Sequence, residues 1–166
     1  SFSNFQPTSA RIFMNNSNPS YVLYAASYVG YSERNHRSEI RNLTGVDPVT
    51  TAWCAAFINA ILERHGMLGS DSVSNYPLLA RSFLDWGVPV NEPRRGDIVI
   101  FNRGNSGWEG HVAIYLNTVE RHGQTYYRVL GGNQNNAITV SEYPVSRLLG
   151  IRRMENPPQM WRVSLN

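Results

Sequence analysis

Hydrophobic and polar positions change rhythm about halfway along the chain. The first twenty residues are rich in Ser, Asn and Pro and read as an extended arm or linker, with Phe2, Phe5, Ile12 and Phe13 available to dock it. A first helix is expected from Tyr21 to about Gly30, after Asn18-Pro19-Ser20. The polar stretch from Ser32 to Pro48 has room for a short helix over residues 38–43. Phe57, Ile58, Ile61 and Leu62 then form an apolar stripe at helical spacing, on a helix that begins near Cys54 and stops at Gly66. A further helix is expected from Pro77 to Trp86, with proline in its first turn and Gly87 past its end.

Beyond Trp86 the apolar runs shorten and become β-branched. Asp97–Phe101, His111–Leu116, Thr125–Leu130, Ala137–Val140 and Leu148–Arg152 read as strands punctuated by Gly, Asn or Pro. A Pro-Arg-Arg-Gly turn precedes the first, a glycine-rich loop over Gly104–Gly110 precedes the second, and Arg121-His122-Gly123-Gln124 is a hairpin turn. Helices followed by an antiparallel meander of about five strands make an α+β domain. It is expected over residues 21–154, with 155–166 as a C-terminal tail.

Composition narrows the function. At 166 residues and 42% apolar, the chain suits one compact domain with its own core. No apolar run approaches a membrane span, so stable membrane insertion is not expected. The chain begins at Ser1 without a charged-then-apolar leader and reads as a fragment or processed form. All 15 basic residues are arginine and the net charge is +3, a balance that suits an anionic polymer. Only Arg94-Arg95 and Arg152-Arg153 are adjacent, which is not the pattern of a nucleic-acid binder.

Cys54 is the only cysteine, too few for a disulfide or a thiolate metal site. It is therefore either inert packing or chemistry. Thr50 and Thr51 lie just upstream as helix caps, placing Cys54 in a first helical turn, where the positive end of the helix dipole lowers a thiol's pKa. A cysteine nucleophile needs a base, and the base needs a third group to fix its ring. Of four histidines, His36 lies in the polar early segment and His122 in a hairpin tip. His65 ends the helix that Cys54 starts, ~16 Å away by helical rise, and reads as a charge partner for its C-terminus. His111 opens a strand directly after the glycine-rich loop and is the best candidate base. Asn133, where the next strand ends, is the best candidate to hold the ring, with Gln134 the alternative for that role or for the oxyanion. Each residue alone has a structural reading: a buried cysteine, a strand histidine, a turn asparagine. No two histidines are spaced i, i+4 and no cysteine pair exists, so neither metal nor cofactor is expected.

Several blocks resemble the papain-like peptidoglycan hydrolases, both the cysteine, histidine-dependent amidohydrolase/peptidase (CHAP) domain and its NlpC-type relatives, with phage-associated members most similar. They are Trp53-Cys54-Ala55-Ala56-Phe57, residues 80–87, Pro93–Val99, Gly110-His111-Val112-Ala113, Gly131-Gly132-Asn133-Gln134 and Leu149–Arg153, together spanning roughly 21–154. The resemblance implies a papain-like fold with the nucleophile at a helix N-terminus packed on an antiparallel sheet. It also implies hydrolysis of amide bonds in the peptide part of peptidoglycan, at the bacterial cell wall; a monomer is the default expectation. Cys54 is then the nucleophile, His111 the base and Asn133 its orienting residue. Many members of the amidohydrolase/peptidase branch carry a glutamate two positions before that asparagine, where this chain has Gly131.

Trp53, Trp108, Tyr115 and Gln134 are candidates to face substrate, Trp108 the strongest of the tryptophans because it lies in the glycine-rich loop; for Trp53 and Tyr115 a place in the core is at least as good a reading. Asp97 reads as a structural turn residue. Two other readings stand beside this one. Glu33 is a candidate acid for glycan-strand cleavage by a muramidase or lytic transglycosylase, although it lacks an evident partner. A wall-binding or virion structural module that has lost activity is the non-enzymatic alternative. The scissile bond, between stem-peptide residues or between sugar and L-alanine, is left open with a lean toward endopeptidase. The setting, a phage lysin, a virion-borne enzyme or a bacterial toxin, leans toward phage.

Overall fold

The computed structural model describes residues 18–154. The docking of Phe2, Phe5, Ile12 and Phe13 and the tail over 155–166 lie outside the described residues. Among the described residues three α-helices come first: α1 (Ser20–Ala26), α2 (Arg37–Thr44) and α3 (Cys54–Glu63). Six strands follow: β1 (Val88–Pro89), β2 (Ile98–Asn102), β3 (Gly110–Arg121), β4 (Gln124–Gly131), β5 (Thr139–Pro144) and β6 (Leu148–Arg153).

Helix α3 is the centre of the fold. Eight of its residues, Cys54 through Asn59 with Ile61 and Leu62, are buried, the mark of a helix enclosed on nearly every side. Ala55 and Ala56 keep its first turn thin where it meets the sheet. Helix α1 stops at Ala26, short of the expected Gly30, because the chain turns to run beside residues 136–138: the Gly30 N–H donates to the Ile138 carbonyl and the Ile138 N–H to that of Tyr31. Helix α2 ends at Gly45, whose φ of 79° is the left-handed C-cap that glycine adopts at least cost.

The helix expected over Pro77–Trp86 is instead a 3-10 helix confined to Ala80–Asp85. Its inward residues, Ala80 and Phe83, with Trp86 just beyond, are spaced by three, which suits three residues per turn rather than 3.6. Gly87 follows with φ 63°, its backbone close against the Arg153 carbonyl.

The sheet is antiparallel throughout, in the order β1-β6-β2-β3-β4-β5. It is not a simple meander: β6 returns to pair with β2, and the two-residue β1 adds to its outer side. Strand alternation divides the core. Ile98, Ile100, Val112, Ile114, Leu116 and Leu130 pack with the helices. Val99, Phe101, Ala113, Tyr115, Tyr127, Val129 and Ile151 form a second cluster. Asp97 does hold a turn, as expected. Its buried carboxylate accepts the Arg94 N–H and a two-pronged contact from Arg153 (2.8 and 2.7 Å), tying the start of β2 to the end of β6.

Gly132, the residue after β4, sets how closely that strand end approaches α3. A Cβ on Gly132 would lie 2.7 Å from the Trp53 ring and 2.9 Å from the Phe57 Cβ. Gly132→Ala is therefore expected to destabilise the fold by about 1–3 kcal/mol through overpacking. Urea denaturation should show a lower midpoint at unchanged slope.

Candidate active site

Cys54 is the first residue of α3, and the residue before it is the helix cap. Thr50 and Thr51 do not cap this helix, contrary to expectation. Their own N–H groups donate to the Asp47 carbonyl in a preceding turn, and Trp53 at the cap position makes no side-chain capping bond. The first N–H groups of α3 therefore have no side-chain cap, and those of Cys54 and Ala55 interact with the sulfur, as does the N–H of Val112 from β3. Val112 is the neighbour of His111, so the thiol lies against the same strand end that carries the histidine.

Burial dominates the thiol. Cys54 is only 4% exposed, and desolvation raises its pKa above the ordinary value, outweighing the three N–H groups and the nearby Arg103, which lower it. The helix N-terminus alone would predict the opposite sign. His111 is 1% exposed, and its pKa is lowered to about 4, first by burial and then by the positive charges of Arg103 and Arg147, against a rise from its bond to Gln134. Near neutral pH the resting pair is thus a thiol and a neutral imidazole.

The tautomer of that imidazole follows from its partner. Gln134 uses its NH2 group to donate to the Thr139 carbonyl (2.8 Å) and to the Thr139 hydroxyl (3.0 Å). A carbonyl only accepts, so the other end of the amide, Oε1, faces His111 Nε2 at 2.8 Å. Nε2 carries the proton, and Nδ1 is left with a lone pair. The Arg103 guanidinium lies 3.4 Å from Nδ1, and Tyr143 stacks on the ring with centroids 4.7 Å apart and planes 17° from parallel.

The residue on the ring is therefore Gln134, not Asn133. Asn133 has φ 57°, and Asn135 and Asn136 share that left-handed conformation, which asparagine tolerates. Asn133 makes the turn that delivers Gln134, and among the described residues it forms no hydrogen bond with His111. Gly131 fits this arrangement: a Cβ there would sit 2.7 Å from Gln134 Oε1 and 3.0 Å from the Ala113 Cβ. The space a glutamate side chain would need at 131 is held by the glutamine amide.

Trp53 is fully buried, with its Nε1–H donating to Glu33 Oε1 at 2.7 Å, so it belongs to the core rather than to a substrate surface. Gln134, 2% exposed and fully engaged, likewise faces no substrate. Tyr115 lies in the second core cluster, its ring edge-on to Tyr127 and its hydroxyl bonded to Thr118. Trp108 is 62% exposed on the loop before β3. That loop is pinned by Arg81, which donates to the carbonyls of Glu109 and Ser106, and by the Ser106 hydroxyl bonded to Glu109. The other histidines have separate roles: His36 stacks on Tyr31, His65 donates from Nδ1 to the Ile61 carbonyl at the end of α3, and His122 sits in the hairpin turn with φ 52°. Among the described residues no three His, Cys, Asp or Glu side chains group as metal ligands, and no helix is long and apolar enough to cross a membrane.

The family model of the CHAP domain matches residues 46–133, more than half of the chain. The chain belongs to the CHAP family. The match takes in Cys54 and His111, stops one residue short of Gln134 and begins beyond Glu33. Membership places this CHAP domain among cysteine- and histidine-dependent amidohydrolases and peptidases of peptidoglycan, which act at the cell wall, and the α+β order of helices then sheet agrees with their papain-like fold. A search of curated proteins finds no match to the chain.

Losing the Gln134 amide leaves a buried ring N–H unpaired, a loss of about 1–3 kcal/mol. Gln134→Ala is expected to lower kcat roughly 5- to 150-fold, while Asn133→Gly, which removes the amide and keeps the left-handed turn, stays within about twofold. Steady-state kinetics of the two variants separate the roles. A histidine can serve as a base only when neutral, and the lowered pKa of His111 carries its neutral form into acid. The acid limb of kcat/KM should therefore centre near pH 4 rather than 6.5, as a pH–rate profile in buffers of constant ionic strength would show.

Proposed function

We propose that this CHAP domain hydrolyses an amide bond in the stem peptide or cross-link of peptidoglycan. Cys54 is the nucleophile, His111 the base and then the acid, and Gln134 the residue that orients the ring. One observation carries the reading. The Cys54 sulfur sits at the uncapped start of a buried helix, against the N–H next to a histidine whose tautomer is set by a buried amide.

His111 Nδ1 takes the thiol proton as sulfur attacks the stem-peptide carbonyl, forming a C–S bond and a tetrahedral oxyanion. The backbone N–H at the helix start, that of Cys54 itself, stabilises this charge. Collapse breaks the C–N bond, and His111 gives its proton to the departing amine. His111 then deprotonates a water that attacks the thioester, releasing the acid and restoring the thiol. Gln134 keeps the proton on Nε2 and supports the imidazolium through each transfer. Trp108 offers its exposed face to the sugar or peptide beside the scissile bond.

Cleavage within or between stem peptides is favoured over cleavage between sugar and L-alanine, and a phage lysin over other settings; the sequence resemblance supports the second of these. The working unit is a monomer of residues 21–154. Glycan-strand cleavage through Glu33 has weaker support, because that carboxylate is occupied by the Trp53 indole. A wall-binding role without activity has weaker support too, since the chain keeps Cys54, His111 and a glutamine bonded to the His111 ring.

Digestion of purified peptidoglycan by the wild type, Cys54→Ala and Glu33→Gln tests this. New amino termini, found by mass spectrometry with the wild type and absent with Cys54→Ala, are expected, and their identity names the bond. Reducing or anhydro sugar ends that persist without Cys54 and vanish in Glu33→Gln would overturn it. Binding to walls without any new terminus would favour the inactive module.

A further inference from the structure

Among the described residues, two arginines beside the site, Arg103 and Arg147, have no acidic partner. Arg103 follows β2 and is half-buried, its guanidinium 3.4 Å from His111 Nδ1 and beside the Tyr143 ring. Arg147 precedes β6 and is exposed, held by the side-chain and main-chain oxygens of Asn102 at 3.3 and 3.1 Å. Both act electrostatically on His111 and Tyr143. The ion pairs among the described residues use Arg37, Arg121, Arg128 and Arg153, and none uses Arg103 or Arg147. Glu109, the carboxylate of the adjoining loop, is engaged by the Ser106 hydroxyl instead.

A half-buried guanidinium with no counter-charge is costly, and its planar fork matches a carboxylate. Its position adds a chemical constraint. Nδ1 is the only acceptor the His111 ring has, and a guanidinium N–H faces it. For that lone pair to take the Cys54 proton, Arg103 must be drawn to a different acceptor. We propose that Arg103, with Arg147 beside it, is a specificity subsite for a free carboxylate on the peptide substrate next to the scissile amide, and that pairing with this carboxylate frees Nδ1 to act as the base. The proposal rests on the amide-hydrolase reading above. Stem peptides supply such groups at the α-carboxylate of their γ-linked glutamyl residue and at their C-terminus.

The test uses purified muropeptides in matched pairs, with either carboxylate free or converted to the carboxamide, which keeps shape and removes charge. Hydrolysis by the wild type, Arg103→Ala, Arg103→Lys and Arg147→Ala is followed by chromatography. Binding of the same pairs to Cys54→Ala and to the Cys54→Ala/Arg103→Ala double variant is followed by calorimetry, with melting curves confirming the fold.

The wild type is expected to prefer one free carboxylate over its amide by about 10- to 100-fold in kcat/KM, the range for a charge-assisted bond. Arg103→Ala should lose that preference and act on both members of a pair at the same rate, because Nδ1 is then free whether or not the carboxylate is present. Arg103→Lys should keep part of it, and Arg147→Ala should weaken it. Cleavage that depends on Cys54 but ignores amidation, or a preference that survives in Arg103→Ala, would overturn the subsite and leave the hydrolase reading intact. Carboxylate-selective binding that needs Arg103, with no peptide cleaved, would uphold the subsite and sink the hydrolase reading. Neither cleavage nor carboxylate-selective binding would sink both.

Discussion

The site depends on how Trp53 is packed. This residue immediately precedes Cys54, is wholly buried, and presses its ring against Gly132 while its indole N–H is held by Glu33. It thus joins three pieces of chain that are far apart in sequence: the segment after α1, the start of α3 and the turn after β4. The first is itself laced to the stretch after that turn through Gly30, Glu33 and Ile138. Buried aromatic area provides the stabilisation, and a single directional hydrogen bond provides the registration. Without that registration, Cys54 and Gln134 would have no reason to lie at the same end of β3.

From that packing the electrostatics of the pair follow. Enclosing Cys54 and His111 favours their neutral forms, and the two nearby arginines push the histidine further the same way. The amide of Gln134 then sets the proton's position without adding charge. A carboxylate in its place would pull the ring toward the imidazolium. The glycine at 131 leaves room for this choice, so the departure at that position and the use of glutamine belong to one structural solution.

Much of this was legible in the residues, and the rest fails for identifiable reasons. The helix of Cys54, the strand of His111 and the hairpin at His122 carry strong local signals, and they stand where expected. The choice of Gln134 over Asn133 turns on a left-handed backbone at Asn133, which a sequence displays only as a run of asparagines. Ala80–Asp85 has helical composition, but its inward spacing of three comes from the surface it packs on. The return of β6 to β2 is a long-range pairing that no local pattern encodes. Trp53 and Tyr115 have the aromatic character of a binding surface, and only tertiary packing shows them to be inside.

The neutral, enclosed state of Cys54 has a consequence for durability. Oxidation to sulfenic and higher acids begins from an accessible thiolate. Here the sulfur is stored as a thiol with almost no surface open to water, and with no second cysteine among the 166 residues to capture it as a disulfide. A protein working at a cell wall, outside the reducing interior of a cell, can in this way keep its one sulfur intact without a reductant to restore it.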